Sequence, residues 1–304
     1  MNAETTLAAV LTATLFASAC SRHMPPAPSG PADARPDVFR FKIGALDAVA
    51  LRDGEIHVPN DGKTVGVGQS RQAIADLLAA AGASTETIDF SIQPLLVHDG
   101  ARLLLFDAGA GAAPFAQAGH LPASLRAAGI APAQVTDIFI SHGDPDHVGG
   151  LVTPAGALAF PQAAIHMSAP EWDAVRKGAE QPALLAVIAP KVVTFEPGST
   201  LLPEVTAVDA HGHTPGHSMY LIGSGSELLL YVGDSAHHSI VSVQRPDWTI
   251  AFDQDAATAQ AFRRALLQRA ADHHLRLYAV HFPFPGLGGV RANGDGFVWI
   301  PEQR

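Results

Sequence analysis

Ser141-His142-Gly143-Asp144-Pro145-Asp146-His147-Val148-Gly149-Gly150 follows directly on the run Val135 to Ile140, which ends in Ile138-Phe139-Ile140. That run reads as a buried strand, so the segment sits at a strand end, where α/β folds place their sites. Two histidines and two aspartates fall within the six positions 142 to 147. Pro145 lacks an amide hydrogen and biases Asp144 towards an extended backbone, so the segment reads as a loop and not a helix. A loop can turn His142, Asp144, Asp146 and His147 towards one point, and Gly149-Gly150 would let backbone pass close to a metal held there. The competing reading is a polar turn that caps a helix, with Asp146 as the N-cap.

Three further segments share this character. His211-Gly212-His213-Thr214-Pro215-Gly216-His217 is a second histidine loop kinked by Gly and Pro, again beside a strand. Gly233-Asp234 closes the apolar run Leu228 to Val232, and Val280-His281-Phe282 closes another that begins at Leu277. A lone histidine at a strand end is usually just a hydrogen-bonded residue, but four such features together point to metal. The chain has 15 histidines against 19 lysines and arginines, an unusual ratio that fits the same reading.

Composition narrows the remaining classes. With 47% apolar and 16% charged residues, the 304-residue chain is that of a globular protein with a sizeable core. A formal net charge of -10, with no basic run, excludes a nucleic-acid footprint. The single cysteine, Cys20, excludes both an internal disulfide and a Cys-based zinc site. Leu7 to Ala17 is apolar but too short to span a bilayer, and Ala17-Ser18-Ala19-Cys20 is similar to a bacterial lipoprotein cleavage box. The box opens with Ala17 where Leu is usual, and Glu4 stands where a positive charge is common. Residues 1–20 are therefore expected to be a signal peptide of lipoprotein type, and 21–37 a Pro-rich tether. The folded domain is expected over 38–304, exported to the periplasm or anchored to a membrane through lipid on Cys20.

Strands are expected at Phe39 to Ile43, Ala48 to Leu51, Leu95 to Val97, Leu103 to Phe106 and Ala164 to Met167. Asp53-Gly54 reads as a hairpin turn between Leu51 and Ile56, and Asp99-Gly100 as another. Helices are expected at Gln72 to Ala81, Pro122 to Ala128, Ala169 to Lys177 and Ala256 to Ala271. Later strands are Ser218 to Ile222, Leu228 to Val232 and Leu277 to Val280. Meanders and hairpins with helices between them imply an α/β (α+β) sandwich of sheets with helices outside.

The run His-x-x-x-Asp-His-x-Gly-Gly, then Gly-His-Thr-Pro-Gly-His, then Gly-Asp, then a late His, resembles the metallo-β-lactamase superfamily. Phe106-Asp107-Ala108-Gly109 is similar to that family's early Asp-x-Gly motif. The likeness runs from about Phe41 to Pro301. Ala50-Leu51-Arg52-Asp53-Gly54, Leu158-Ala159-Phe160-Pro161 and Phe284-Pro285-Gly286-Leu287-Gly288 resemble the methyl parathion hydrolase-like branch. Arg291-Ala292 and Gly296-Phe297 continue that match.

The resemblance implies an αββα sandwich with two divalent ions, zinc being expected. One ion would be held by His142, Asp144 and His213, the other by Asp146, His147 and His281, with Asp234 bridging. Asp107 and His217 would support these ligands, while His211, His237 and His238 receive no role beyond His237 as a pocket-rim candidate. The family normally carries His at position 144. The carboxylate of Asp144 admits manganese or iron beside zinc, or else is too short to reach, leaving one well-held ion. The implied activity is hydrolysis of an ester, lactone or phosphotriester by a metal-bound hydroxide, with no protein nucleophile. Phe115, Trp172, Phe282 and Phe284 are candidates for an apolar pocket around a small-molecule substrate, core packing being the alternative. Two other readings stay open: a non-catalytic metal- or ligand-binding lipoprotein of the same fold, and a di-iron redox protein.

Overall fold

Alternation decides which way each central strand faces. Leu95, Val97, Leu104 and Phe106 turn to one side of their sheet, while Leu96 and Leu105 turn to the other, and all are buried. A strand covered on both faces has no polar side, which is why these stretches read as unbroken apolar runs. In the computed structural model of the protein, residues 37–178 and 181–302 are described. The expected signal peptide, Cys20 and nearly all of the tether lie outside them.

The first sheet has seven strands, in the order Val38–Ile43, Leu46–Leu51, Leu95–His98, Leu103–Phe106, Asp137–Phe139, Ala164–Ser168 and Val192–Phe195. The second also has seven: Thr200–Leu202, Val205–Asp209, Ser218–Ser224, Glu227–Tyr231, Leu277–Tyr278, Leu287–Asn293 and Gly296–Pro301. Between them lies one core, in which Phe106 and Phe139 of the first sheet meet Tyr220 and Tyr231 of the second. The outer face of the first sheet packs on Leu121 and Leu125 of the helix Leu121–Ala128. That of the second packs on Leu266, Leu267 and Ala270 of the helix Ala256–His273. The architecture is a helix–sheet–sheet–helix sandwich, as expected. Among the described residues no helix is long and apolar enough to cross a membrane.

The Asp99-Gly100 hairpin is present, with Asp99 Oδ1 accepting from the amides of Ala101 and Arg102 at 2.8 and 2.6 Å. The Asp53-Gly54 hairpin is not. There the chain leaves the first sheet, and Gly54–Pro59 pairs with the distant Thr87–Ile92 as a separate two-stranded sheet. Asp53 is fully buried, and its carboxylate accepts from the amides of Ala110 and Leu121 at 2.8 and 2.7 Å. A polar, turn-forming pair was the local signal, but a buried acceptor role took precedence. This small sheet packs through Ile88 and Phe90 on the helix Arg71–Ala80 and on Val241, raising a wall beside one end of the main sandwich.

Candidate metal centre

Four ligand-bearing loops leave the same end of the sandwich. Leu103–Phe106 and Asp137–Phe139 run parallel, so Asp107 and Ser141-His142 emerge side by side. In the second sheet Glu227–Tyr231 and Leu277–Tyr278 are also parallel, delivering Asp234 and His281 from their carboxyl ends. Val205–Asp209 is antiparallel to Ser218–Ser224, which is antiparallel to Glu227–Tyr231, so the His213 loop opens at that end too.

Pro145–Val148 corrects one expectation: it forms a single helical turn, not a loop. Pro145 stands at the first helical position, where its missing amide costs nothing. Asp144, not Asp146, is the boundary residue, with extended φ −68° and ψ 149° and no capping hydrogen bond from its side chain. That frees its carboxylate, whose Oδ2 lies 3.5 Å from His142 Nε2 and 3.4 Å from His213 Nε2. Gly149 and Gly150 also differ from expectation. A Cβ on them would meet Ala110 O at 2.2 Å and Ala108 O at 2.0 Å, so they admit the backbone of the Asp107 loop rather than a metal.

The structure brings His142, Asp144, Asp146, His147, His213, Asp234 and His281 together in overlapping sets of three. The four histidines and Asp234 are buried, and Asp144 and Asp146 are half-buried on the cleft side. His142 and His213 approach each other Nε2 to Nε2 at 3.2 Å, and His147 and His281 at 3.3 Å. Asp146 Oδ2 lies 3.6 Å from His147 Nε2 and 3.5 Å from His281 Nε2. Asp234 stands between the two groups: its Oδ1 is 3.3 and 3.1 Å from His147 and His281 Nε2, and its Oδ2 is 3.5 Å from His213 Nε2.

These contacts fit divalent ions better than hydrogen bonds. Each imidazole already directs Nδ1 at a partner: His147 to Asp107 at 2.7 Å, His281 to Ser91 O at 2.7 Å, His213 to Asp253 at 3.1 Å, His142 to Ser141 Oγ at 3.0 Å. Nδ1 protons held this way leave Nε2 lone pairs facing one another, the arrangement that ligating histidines adopt. Ligand atoms about 2.0–2.1 Å from a tetrahedral zinc lie about 3.3 Å apart, close to the spacings found. Charge balance agrees. Burial opposes a charged His213, yet Asp144, Asp253 and Asp234 push its imidazole up to about 10. Burial would raise the Asp234 carboxyl, but His281 and His147 hold it well below the usual range. Five carboxylates, Asp107, Asp144, Asp146, Asp234 and Asp253, therefore call for positive charge at this spot.

The supporting residues are equally placed. Asp107 accepts from Ser141 N, Ser141 Oγ, His147 Nδ1 and Tyr231 OH, each at 2.7 Å. Burial, with His142 and His213 nearby, keeps the His217 imidazole well below its ordinary value. Its Nδ1 faces Ala210 O, and its Nε2 accepts the amide of Asp234 at 2.9 Å. Gly233, at φ +50°, is needed there, since a Cβ would lie 2.5 Å from that Nε2. Of the unassigned histidines, His211 pairs with Asp209 on the surface, and His238 Nδ1 accepts from the amides of Ile240 and Val241.

Three supporting residues were missed in the sequence: Glu171, Asp253 and Arg263. Glu171 is buried, and its carboxylate accepts from Gly143 N at 2.8 Å, Thr214 Oγ1 at 2.6 Å and Gly216 N at 2.9 Å, tying both histidine loops to one helix. Arg263, fully buried, bonds Asp253 Oδ2 at 2.7 Å and so fixes the partner of His213. For Arg263 the sequence signal was a charged residue on the helix face shared with Ala259, Leu266, Leu267 and Ala270, whereas Glu171 is the one buried residue of its helix and gave no such signal.

Above this group opens a cleft of about 440 Å³. Its floor holds Asp144, Asp146, Asp234 and His281, and its walls are Ile56, Val58, Phe90, Phe115 and Phe252. Of the four aromatic candidates only Phe115 faces it. Trp172 packs against the outer core of the first sheet, Phe282 against Trp299, and Phe284 lies beneath Arg52.

A sandwich that gathers His and Asp side chains from four strand ends beneath an apolar cleft defines a metal-dependent hydrolase class of site. The family model described as the metallo-beta-lactamase superfamily matches residues 89–281, and the chain belongs to that superfamily. It is similar to the solved structure of AidC, described as a dizinc quorum-quenching lactonase in complex with an N-hexanoyl-L-homoserine product. The identity is 34% and the TM-score 0.82, over 88% of this chain and 98% of that one. It is also similar to the hydrolase AbOPH of the beta-lactamase superfamily, at 26% identity and TM-score 0.80 over 88% and 98%. A probable metal-dependent hydrolase from Staphylococcus aureus shares the fold, at 19% identity and TM-score 0.72 over 87% and 99%. No curated protein matches the sequence.

Proposed function

We propose that the protein hydrolyses a neutral ester bond, in a lactone, an aryl ester or a phosphotriester, with two divalent ions, zinc by preference. The observation that carries this reading is Asp234, whose two carboxylate oxygens face two separate histidine pairs on the floor of an apolar cleft. His142, Asp144 and His213 would hold one ion and Asp146, His147 and His281 the other. Bound there, such ions supply Lewis acidity and acidify water to a pKa of about 7. Ile56, Val58, Phe90 and Phe252 seat the apolar part of the substrate, and Phe115 at the mouth limits water. Among the described residues no Ser or Cys lines the cleft, so a side-chain nucleophile is not expected. AidC, described as a lactonase, supports the lactone among these classes, and AbOPH, described as a hydrolase, supports hydrolysis. The methyl parathion hydrolase-like branch is proposed on the segments Ala50 to Gly54, Leu158 to Pro161 and Phe284 to Gly288.

The test is hydrolysis of N-hexanoyl homoserine lactone, p-nitrophenyl acetate and a p-nitrophenyl phosphotriester by the purified chain, before and after chelation and zinc add-back. Turnover of at least one, lost on chelation and regained with zinc, is the expected result. No turnover of any by zinc-loaded protein would contradict the reading. We also propose export with lipid attached at Cys20, which palmitate labelling that disappears in Cys20→Ala would support and absent labelling would refute.

A further inference from the structure

His237 is almost wholly buried, at 1% exposure, and neither of its ring nitrogens has a hydrogen-bond partner. Burying a polar group unpaired is costly, so an imidazole with both nitrogens idle needs an explanation. Its position is not accidental. The amides of His237 and His238 both donate to Ser242 Oγ, at 3.2 and 3.0 Å, which pins the segment that follows Asp234. The ring lies 5.9 Å from Phe252 and 4.9 Å from the His213 ring, centroid to centroid. It stacks parallel to the His281 ring at 6.1 Å.

His237 Nε2 is 3.1 Å from Asp234 Oδ2, without hydrogen-bond alignment. Oδ2 is the oxygen that faces His213, at 3.5 Å. Ligand atoms of His213, Asp234 and His237 all fall within 4.8 Å of one another, as do those of His142, Asp144 and His213. His213 thus belongs to both groups. On one side of it stands Asp144, a short carboxylate whose side chain is 37% exposed, and on the other stands a buried, unused imidazole.

We propose that His237 is a further ligand of the ion held by His142, Asp144 and His213, supplying through Nε2 an imidazole that position 144 does not. This rests on the two-ion reading above. Unlike the other four histidines, His237 has no acceptor for Nδ1, so nothing raises its basicity. It is the weakest donor of the set, and its loss affects one ion and spares the other.

The experiment is proton NMR of the full chain loaded with cobalt(II), comparing spectra in H₂O and D₂O. Each ligating imidazole contributes one strongly shifted N–H signal that exchanges with solvent. Five such signals are expected, and four would overturn the assignment. Zinc titration of His237→Gln is the second arm. One of the two dissociation constants should rise by more than about tenfold, the lower end of what losing an outer-shell partner costs, with the other unchanged, and both unchanged would overturn the proposal. A chain that binds cobalt at neither site would sink the functional reading with it, whereas two bound ions and four signals would sink this inference alone.

Discussion

Asp107 and His147 form a buried pair, with Nδ1 of the imidazole 2.7 Å from the carboxylate Oδ2 and both side chains at most 1% exposed. Asp107 also sits at φ +57°, a left-handed backbone that few residues other than Gly, Asn and Asp tolerate. Asp107→Asn keeps that backbone and most of the volume but removes the anion that orients His147. We expect an unchanged fold by circular dichroism and zinc affinity weakened about 10–100-fold in chelator competition. Unaltered affinity would mean that the pair only packs.

Glu171 spans both histidine loops without entering the ligand group. Glu171→Ala strands the buried amides of Gly143 and Gly216, at about 1–3 kcal/mol per group. Urea unfolding should show a loss of that order, with a smaller loss for Glu171→Gln, whose amide oxygen still accepts. Equal stability of wild type and Glu171→Ala would rule out the clamp.

Asp253 joins His213 to Arg263. Burial tends to raise its carboxyl, but the hydrogen bond to His213, with the charges of His237 and Arg263, holds it at about 2. The folded value lies below the ordinary 3.8. The stabilisation is thus present above that ordinary value and is lost as pH falls through about 2. Asp253→Asn should lack this part of the acid dependence in pH-resolved unfolding. Arg263→Leu, which leaves Asp253 buried and unpaired, should cost about 3–5 kcal/mol. A cost below about 1 kcal/mol would place the pair among ordinary surface bridges.

His57 lies on the cleft wall with Nδ1 2.7 Å from Asp89 Oδ1. That hydrogen bond, against a smaller opposing effect of burial, raises the imidazole above 6.5. Its contribution to stability is present below the unfolded value of about 6.5 and lost as pH rises through the folded value. His57 is about one-third exposed, so the contribution is small, and the titration itself is the useful readout. By NMR, His57 should titrate above 6.5 in wild type and lower in Asp89→Asn. An unshifted titration would exclude the pairing in solution.

What was legible in the sequence was whatever has a local cause. Leu95–His98 and Leu103–Phe106 announce themselves as apolar runs around Asp99-Gly100, and the ligand loops by His and Asp packed between Gly and Pro. Asp53-Gly54 misled because a turn dipeptide and a buried acceptor look alike until Ala110 and Leu121 arrive from far along the chain. The cleft walls other than Phe115 were illegible for the same reason. Phe90 and Phe252 come from a two-stranded sheet and a loop whose partners are remote in sequence, while Trp172, Phe282 and Phe284 satisfied separate cores. Glu171, Asp253 and Arg263 carry no motif, because a residue that supports a ligand loop is defined by who arrives beside it.

The shared position of Asp234 between two histidine pairs is tested most directly by counting ions. Elemental analysis of the full chain, as purified and again after zinc loading and gel filtration, gives that number. We expect about two ions per chain, zinc predominating after loading, with both lost to strong chelators. A chain that retains none after loading would contradict the account at its centre, since the facing Nε2 lone pairs would then serve no metal.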